Sequence, residues 1–185
     1  MLPGCIRLRW MAADIPGERT LVEEVRKILV AHYHAKFAEW KATKGRQAGS
    51  SAWSSEAQKL VTTTFPFVRA EFVFHKRSKS SFDLYSPPHN LAIELEMFQG
   101  NAIYEFYKVL FKMLIAGPSY SRLIMVIPKE PGTRQLRSPF NRISFETFER
   151  VHDLHVLWMV LDQGPDGFVG SLTDLCGLYP SIAAE

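Results

Sequence analysis

Residues 82–97 read FDLYSPPHNLAIELEM, and their alternation decides the fold. In Leu91–Met97 successive side chains take opposite sides of an extended chain. Ile93 and Leu95 therefore share one face, and Glu94 and Glu96 share the other. The run Ser81–Tyr85 has the same strand character, and SPPHN between the two is turn chemistry, so the pair reads as a hairpin. Asp83 then stands on the strand next to Glu94 and Glu96. Like charges on one face of a largely apolar sheet repel and lose hydration, which raises a carboxyl pKa unless something compensates. A hard divalent cation is a natural compensator. Mg²⁺ takes oxygen ligands and is commonly held by one or two carboxylates plus a phosphate. The competing reading is a set of exposed carboxylates on the solvent side of an antiparallel strand.

Outward from this segment the elements follow in order. Phe67–His75 is a third strand that completes an antiparallel meander, and Pro66 before it predicts extended backbone. On the far side, Ile103, Phe106, Tyr107, Leu110, Phe111 and Leu114 form a helical stripe that stops at Gly117-Pro118. The opposite face of that helix carries Glu105, Lys108 and Lys112. Arg122–Pro128 and His155–Leu161 are short, continuously apolar runs of the kind found in interior parallel strands. A crossover helix over 144–154 connects them. Toward the amino end, Thr20 and Glu23 have capping-box spacing before a long amphipathic helix over 20–43. Gly45–Ser51 reads as a polar break, and Ser54 or Ser55 caps a shorter helix toward Thr63. The expected fold is α/β, one mixed sheet flanked by helices, in a single domain over 1–185. Its helical part spans about 17–63 and its α/β core about 67–162.

Composition narrows the function classes. With 185 residues, 46% hydrophobic and 22% charged, the chain has the balance of an ordinary globular domain. Cys5 and Cys176 fit no disulfide or Cys/His metal pattern. No apolar run approaches the ~20 residues that span a bilayer, and MLPGCIRLRW lacks the apolar region of a signal peptide. A cytoplasmic protein with no membrane partner is expected. The net charge is only +3, but all 22 Lys and Arg lie within 1–150, while 151–185 carry five acids and no Lys or Arg. The basic part suits a polyanion. GxSxG, Walker A and GxGxxG motifs are absent, and the pairs His32/His34 and His152/His155 lack zinc-site spacing. Tyr33, Phe37, Trp40, Phe106, Tyr107 and Phe111 fall on helix stripes and suit core or dimer packing better than base stacking.

The pattern Asp83, ten intervening residues, then Glu94-x-Glu96, followed by a helix and a buried strand, resembles the PD-(D/E)xK nuclease superfamily over residues 67–128. Glu96 stands where most of that superfamily has Lys, which is similar to the Asp…Glu-x-Glu variant in restriction endonucleases of the BamHI and BglII type. Phe82 precedes Asp83 where the motif has Pro. The resemblance implies a restriction endonuclease-like three-layer sandwich with a central mixed sheet. It also implies Mg²⁺-dependent hydrolysis of DNA phosphodiesters, with Mn²⁺ as a substitute ion. Asp83 and Glu94 would hold the ion, and Glu96 would be a further ligand or the group orienting the attacking water. Lys108 is a candidate for the missing lysine, against the plainer reading of a surface residue paired with Glu105. Candidate DNA contacts are Lys76, Arg77 and Lys79 before Asp83, and Lys129, Arg134, Arg137 and Arg142 in the basic segment that starts at Arg122. A homodimer follows if both strands of a symmetric site are cut. The other readings are a catalytically inactive member of the same fold that binds DNA or a protein, and a phosphodiesterase acting on RNA.

Overall fold

The computed structural model describes residues 17–42, 46–96, 102–117, 119–128 and 139–169. Six strands form one mixed sheet in the order β1-β2-β3-β4-β5-β6. They are β1 (Arg69–His75), β2 (Ser80–Ser86), β3 (Leu91–Leu95), β4 (Arg122–Ile127), β5 (His155–Val160) and the two-residue β6 (Phe168–Val169). The first three make the antiparallel meander, β3, β4 and β5 run parallel, and β6 returns antiparallel to β5. The meander and the interior parallel strands stand where the residue pattern puts them. Every residue of β3 and β4 is buried, which is why their sequences are apolar almost throughout.

Helices cover both faces. On one, α1 (Glu18–Ala42) and α2 (Arg46–Thr64) pack Leu21, Val25, Leu29, Trp53, Ala57 and Val61 onto Leu84, Ile93, Ile124 and Leu157. On the other, α3 (Ala102–Ala116) and α4 (Pro139–Val151) pack Phe106, Leu110, Met113 and Phe145 onto Leu123, Met125, Val156 and Trp158. The result is an α/β/α arrangement. Among the described residues no helix is long and apolar enough to cross a membrane.

Several boundaries differ from the expectation for physical reasons. Helix α1 starts at Glu18, just after Gly17 at φ 83°, so Thr20 lies inside the helix and does not cap it. Helix α2 starts at Arg46, within the stretch read as a break. Trp53, Ala57 and Val61 recur every four residues and are buried, and that packing outweighs the ~1 kcal/mol that a glycine costs in a helix. Pro66 lies in a turn, and the strand begins three residues later at Arg69. Helix α4 runs from Pro139 to Val151 rather than 144–154. Proline is well suited to a first helical position, and Asp153 at φ 50° ends the run. Gly117, at φ 83°, closes α3 by donating its N–H to Met113 O at 3.0 Å. In the SPPHN turn, Asn90 takes the left-handed conformation (φ 47°), and its Oδ1 accepts from the Tyr85 hydroxyl at 3.0 Å.

Arg122, read as the start of a basic surface segment, is buried at the head of β4 and paired with Glu18, itself 3% exposed. The pair ties the first turn of α1 to the sheet. Removing one partner leaves an uncompensated buried charge, whereas replacing both with apolar residues of similar volume removes the desolvation cost as well. Arg122→Met is expected to cost roughly 3–5 kcal/mol in urea unfolding, and the double variant Glu18→Leu/Arg122→Met to lie within about 2 kcal/mol of wild type. Equal losses in the single and double variants would show that the charges themselves matter little.

Candidate functional site

The strand register brings the sequence-derived acids together. The β2–β3 ladder ends at Leu84 opposite Ile93, and just beyond it Asp83 accepts the Leu95 N–H beside Glu94, whose carboxyl meets Lys112 of α3. Glu94 pairs with Met125, and Met125 with Trp158, so one row of side chains crosses three strands. Glu96 follows the last residue of β3, and its N–H still bonds to Val126 O at 2.8 Å. The three carboxyls thus lie at the carboxyl end of the parallel strands, where open α/β sheets characteristically bind ligands.

The face is not open to solvent as an exposed antiparallel strand would be. Glu94 is only 1% exposed. Its Oε2 accepts from Lys112 Nζ on α3 at 2.8 Å, while its Oε1 is buried and has no hydrogen-bond partner among the described residues. The Trp158 indole N–H, on the same row, is likewise buried without a partner among the described residues. Asp83 Oδ2 accepts the Leu95 N–H at 2.7 Å, which fixes its carboxyl against β3.

Burial, and then the charge of Asp83, push the Glu94 carboxyl up to about 8 despite the Lys112 ammonium. Burial and Asp83 likewise raise Glu96 to about 7. Asp83 is raised chiefly by burial, against the opposing pull of the Leu95 N–H and Lys112. Each acid therefore holds a proton near neutral pH more readily than a surface carboxylate does. Glu149, on α4, is a separate case: burial lifts it to about 8 while its Oε1 accepts the Val156 N–H at 3.3 Å.

Lys112 hydrogen-bonds Glu94 directly, and the Lys108 charge also acts on Asp83, Glu94 and Glu96. Lys108 Nζ bonds to Glu105 Oε2 at 3.0 Å, the plainer of its two sequence readings. The residue pattern places Lys112 beside Lys108 on the polar face. Position 112 in fact flanks the buried residues Val109 and Met113, and a lysine stem is long enough to carry its ammonium from there back to the sheet.

Lys76, Arg77 and Lys79 form the exposed β1–β2 turn, which lies at the same end of the sheet as the carboxyls. Lys129, Arg134 and Arg137 lie outside the described residues. Arg142 falls within α4, and its side chain is also outside the described set.

Among the described residues no group of three or more Asp, Glu, His or Cys is arranged to hold a metal ion. The donor chemistry nevertheless fits Mg²⁺. The donors are all carboxylate oxygens, one of which is buried and orphaned, and Mg²⁺ needs only one or two carboxylates when phosphate and water complete its shell. Compared with known proteins, the chain matches no family model, no curated protein and no solved structure.

A carboxyl whose pKa is raised on folding contributes stability that is full below its ordinary value, here 4.5, and is lost as pH rises through the folded value. Metal-free protein in EDTA should therefore lose stability between pH 5 and pH 9, by on the order of a few kcal/mol. Glu94→Gln should flatten the profile, Glu149 and Glu96 supplying the slope that is left. Urea melts that strengthen with pH over this window would contradict the assignment.

Proposed function

We propose that the chain is a Mg²⁺-dependent DNA endonuclease of restriction endonuclease-like fold that hydrolyses phosphodiester bonds, with Mn²⁺ able to replace Mg²⁺. The observation that carries this reading is Glu94, a carboxyl 1% exposed with one oxygen orphaned among the described residues, within reach of the Asp83 charge and met by a lysine from α3. A protein rarely keeps such a group for stability alone, and buried acids with raised pKa values cluster at functional sites.

Asp83 and Glu94 would hold the ion, with Glu96 as a further ligand or as the group that orients the attacking water. When bound, Mg²⁺ supplies positive charge against a non-bridging phosphate oxygen and lowers the pKa of a coordinated water. Glu96, with its pKa about 7, is poised to accept a proton from water near neutral pH. Lys112 supplies from the helix the cation that position 96 lacks, close to the carboxyl that would meet the phosphate. The turn residues Lys76, Arg77 and Lys79 stand at the same end of the sheet, where they would contact the DNA backbone. Lys129, Arg134, Arg137 and Arg142 are proposed to extend that contact. Cutting both strands of a symmetric site would call for a homodimer.

A catalytically inactive fold that binds DNA or a protein is the second reading. It is favoured by the engagement of Asp83 Oδ2 with Leu95 N–H and of Glu94 Oε2 with Lys112.

Plasmid and phage DNA incubated with Mg²⁺ or Mn²⁺, beside EDTA controls and parallel RNA digests, separates these readings. The expected result is metal-dependent cutting of DNA that falls ~10²-fold or more in Glu94→Ala and in Lys112→Ala. Cutting of RNA alone would move the substrate to another polymer. No cutting of diverse DNAs, with no Mg²⁺ or Mn²⁺ binding by calorimetry, would leave the inactive, binding-only fold.

A further inference from the structure

Two metal ions that act together on one phosphate lie ~3.5–4 Å apart. At that separation a carboxylate bridges them by giving one oxygen to each. The two carboxyls that would hold the ion here each have an oxygen already engaged. Asp83 Oδ2 accepts the Leu95 N–H at 2.7 Å, from a backbone donor fixed by β3. Glu94 Oε2 accepts from the Lys112 ammonium at 2.8 Å. What Glu94 has left is Oε1, buried and without a partner among the described residues. Neither carboxyl is therefore free to bridge, and Glu96, just past the end of β3, is the one acid of the three with no hydrogen bond to its carboxyl among the described residues.

Lys112 is not an ordinary surface lysine. Its side chain is 20% exposed, against 50% for Lys108, and it meets a carboxyl that is 1% exposed. Its charge acts on Asp83, Glu94 and Glu96 together. An ammonium held against a buried carboxylate oxygen does what a metal ion would do there, since it supplies fixed positive charge where water is scarce. A dication bound to the same oxygen would have to push that ammonium aside, and one bound close by would be repelled by it. Lys108, which also acts on Asp83, Glu94 and Glu96, adds to the repulsion. Three acids met by two ammonium groups thus suit one small dication better than a pair.

We infer that Lys112 stands in the place of a second metal ion on Glu94, so that each chain takes one divalent ion and not two. The inference rests on the metal-site reading above and fixes its stoichiometry. In a paired site the two ions share the attacking and leaving oxygens of the phosphate. In this chain one of those duties falls to an ammonium.

Titration of the whole chain with Mn²⁺, followed by electron paramagnetic resonance, reads both the number of bound ions and their proximity, and it needs no DNA. The wild type should bind one Mn²⁺ per chain with the spectrum of an isolated ion. Lys112→Met removes the ammonium and keeps an apolar stem. It should bind two, with the exchange coupling of neighbouring ions in the spectrum. Lys112→Arg keeps the charge and should bind one. Circular dichroism establishes that each variant is folded, and if Lys112→Met does not fold, Lys112→Gln should show the second ion in its stead. A lysine kept only as a structural partner of Glu94 would leave the ion count unchanged when removed. A coupled pair of ions in the wild type, a single ion in the folded neutral variants, or a second ion in Lys112→Arg would therefore overturn the inference and leave the metal site standing. No Mn²⁺ bound by the wild type would overturn both.

Discussion

Glu94 lies one residue before the end of β3, a strand buried along its whole length, and is itself only 1% exposed. Lone buried carboxylates are too costly to persist, so the surroundings have to supply protons, cations or dipoles. Much of the structure on this side of the sheet answers to that requirement. Helix α3 lies across the face and delivers the Lys112 ammonium at 2.8 Å. Asp83, the nearest acid, is anchored by the Leu95 N–H so that its own charge is partly offset. Among the described residues one Glu94 oxygen is still left without a partner, so the compensation they supply is incomplete. Such a group is ordinarily met by water or an ion, or kept for a catalytic role.

Much of this was legible in the residues, and what was not has identifiable causes. A period of two places Glu94 and Glu96 together without any knowledge of the fold, and the turn residues of SPPHN bring Asp83 alongside. The continuous apolar runs at Arg122–Ile127 and His155–Val160 announce interior parallel strands because a strand covered on both faces has no polar side to display. Local periodicity says nothing, however, about which face a distant helix will cover, so the burial of Glu94 could not be read from its neighbours. Lys112 was hidden for a related reason: a helical wheel locates Cα positions, and a four-carbon stem can carry its charge well away from the face it starts on. Arg122 was misplaced because its charge, judged alone, suggests the surface, while Glu18, which meets it, is 104 residues away.

The two helical layers have different characters. The α1–α2 layer packs a long amphipathic pair against the sheet, with Arg122 and Glu18 clamping the first turn of α1 to the strand ends. The α3–α4 layer holds the acidic row and its lysine on the inside while keeping large apolar side chains outside. Helix α3 thus carries apolar side chains on both sides, Phe106, Leu110 and Met113 against the sheet and Tyr104, Phe111 and Ile115 exposed.

The order of the strands across the sheet is their order along the chain. Every neighbouring pair is therefore joined by a single hairpin or one helical crossover, and no strand waits for a distant segment to be inserted beside it. Loop closure is cheap for such connections, and topologies rich in local pairings fold quickly for their size. The sheet is accordingly able to assemble by adding one strand at a time to a growing edge. The α1 clamp to Arg122, which spans most of the sheet-forming sequence, is suited to closing last.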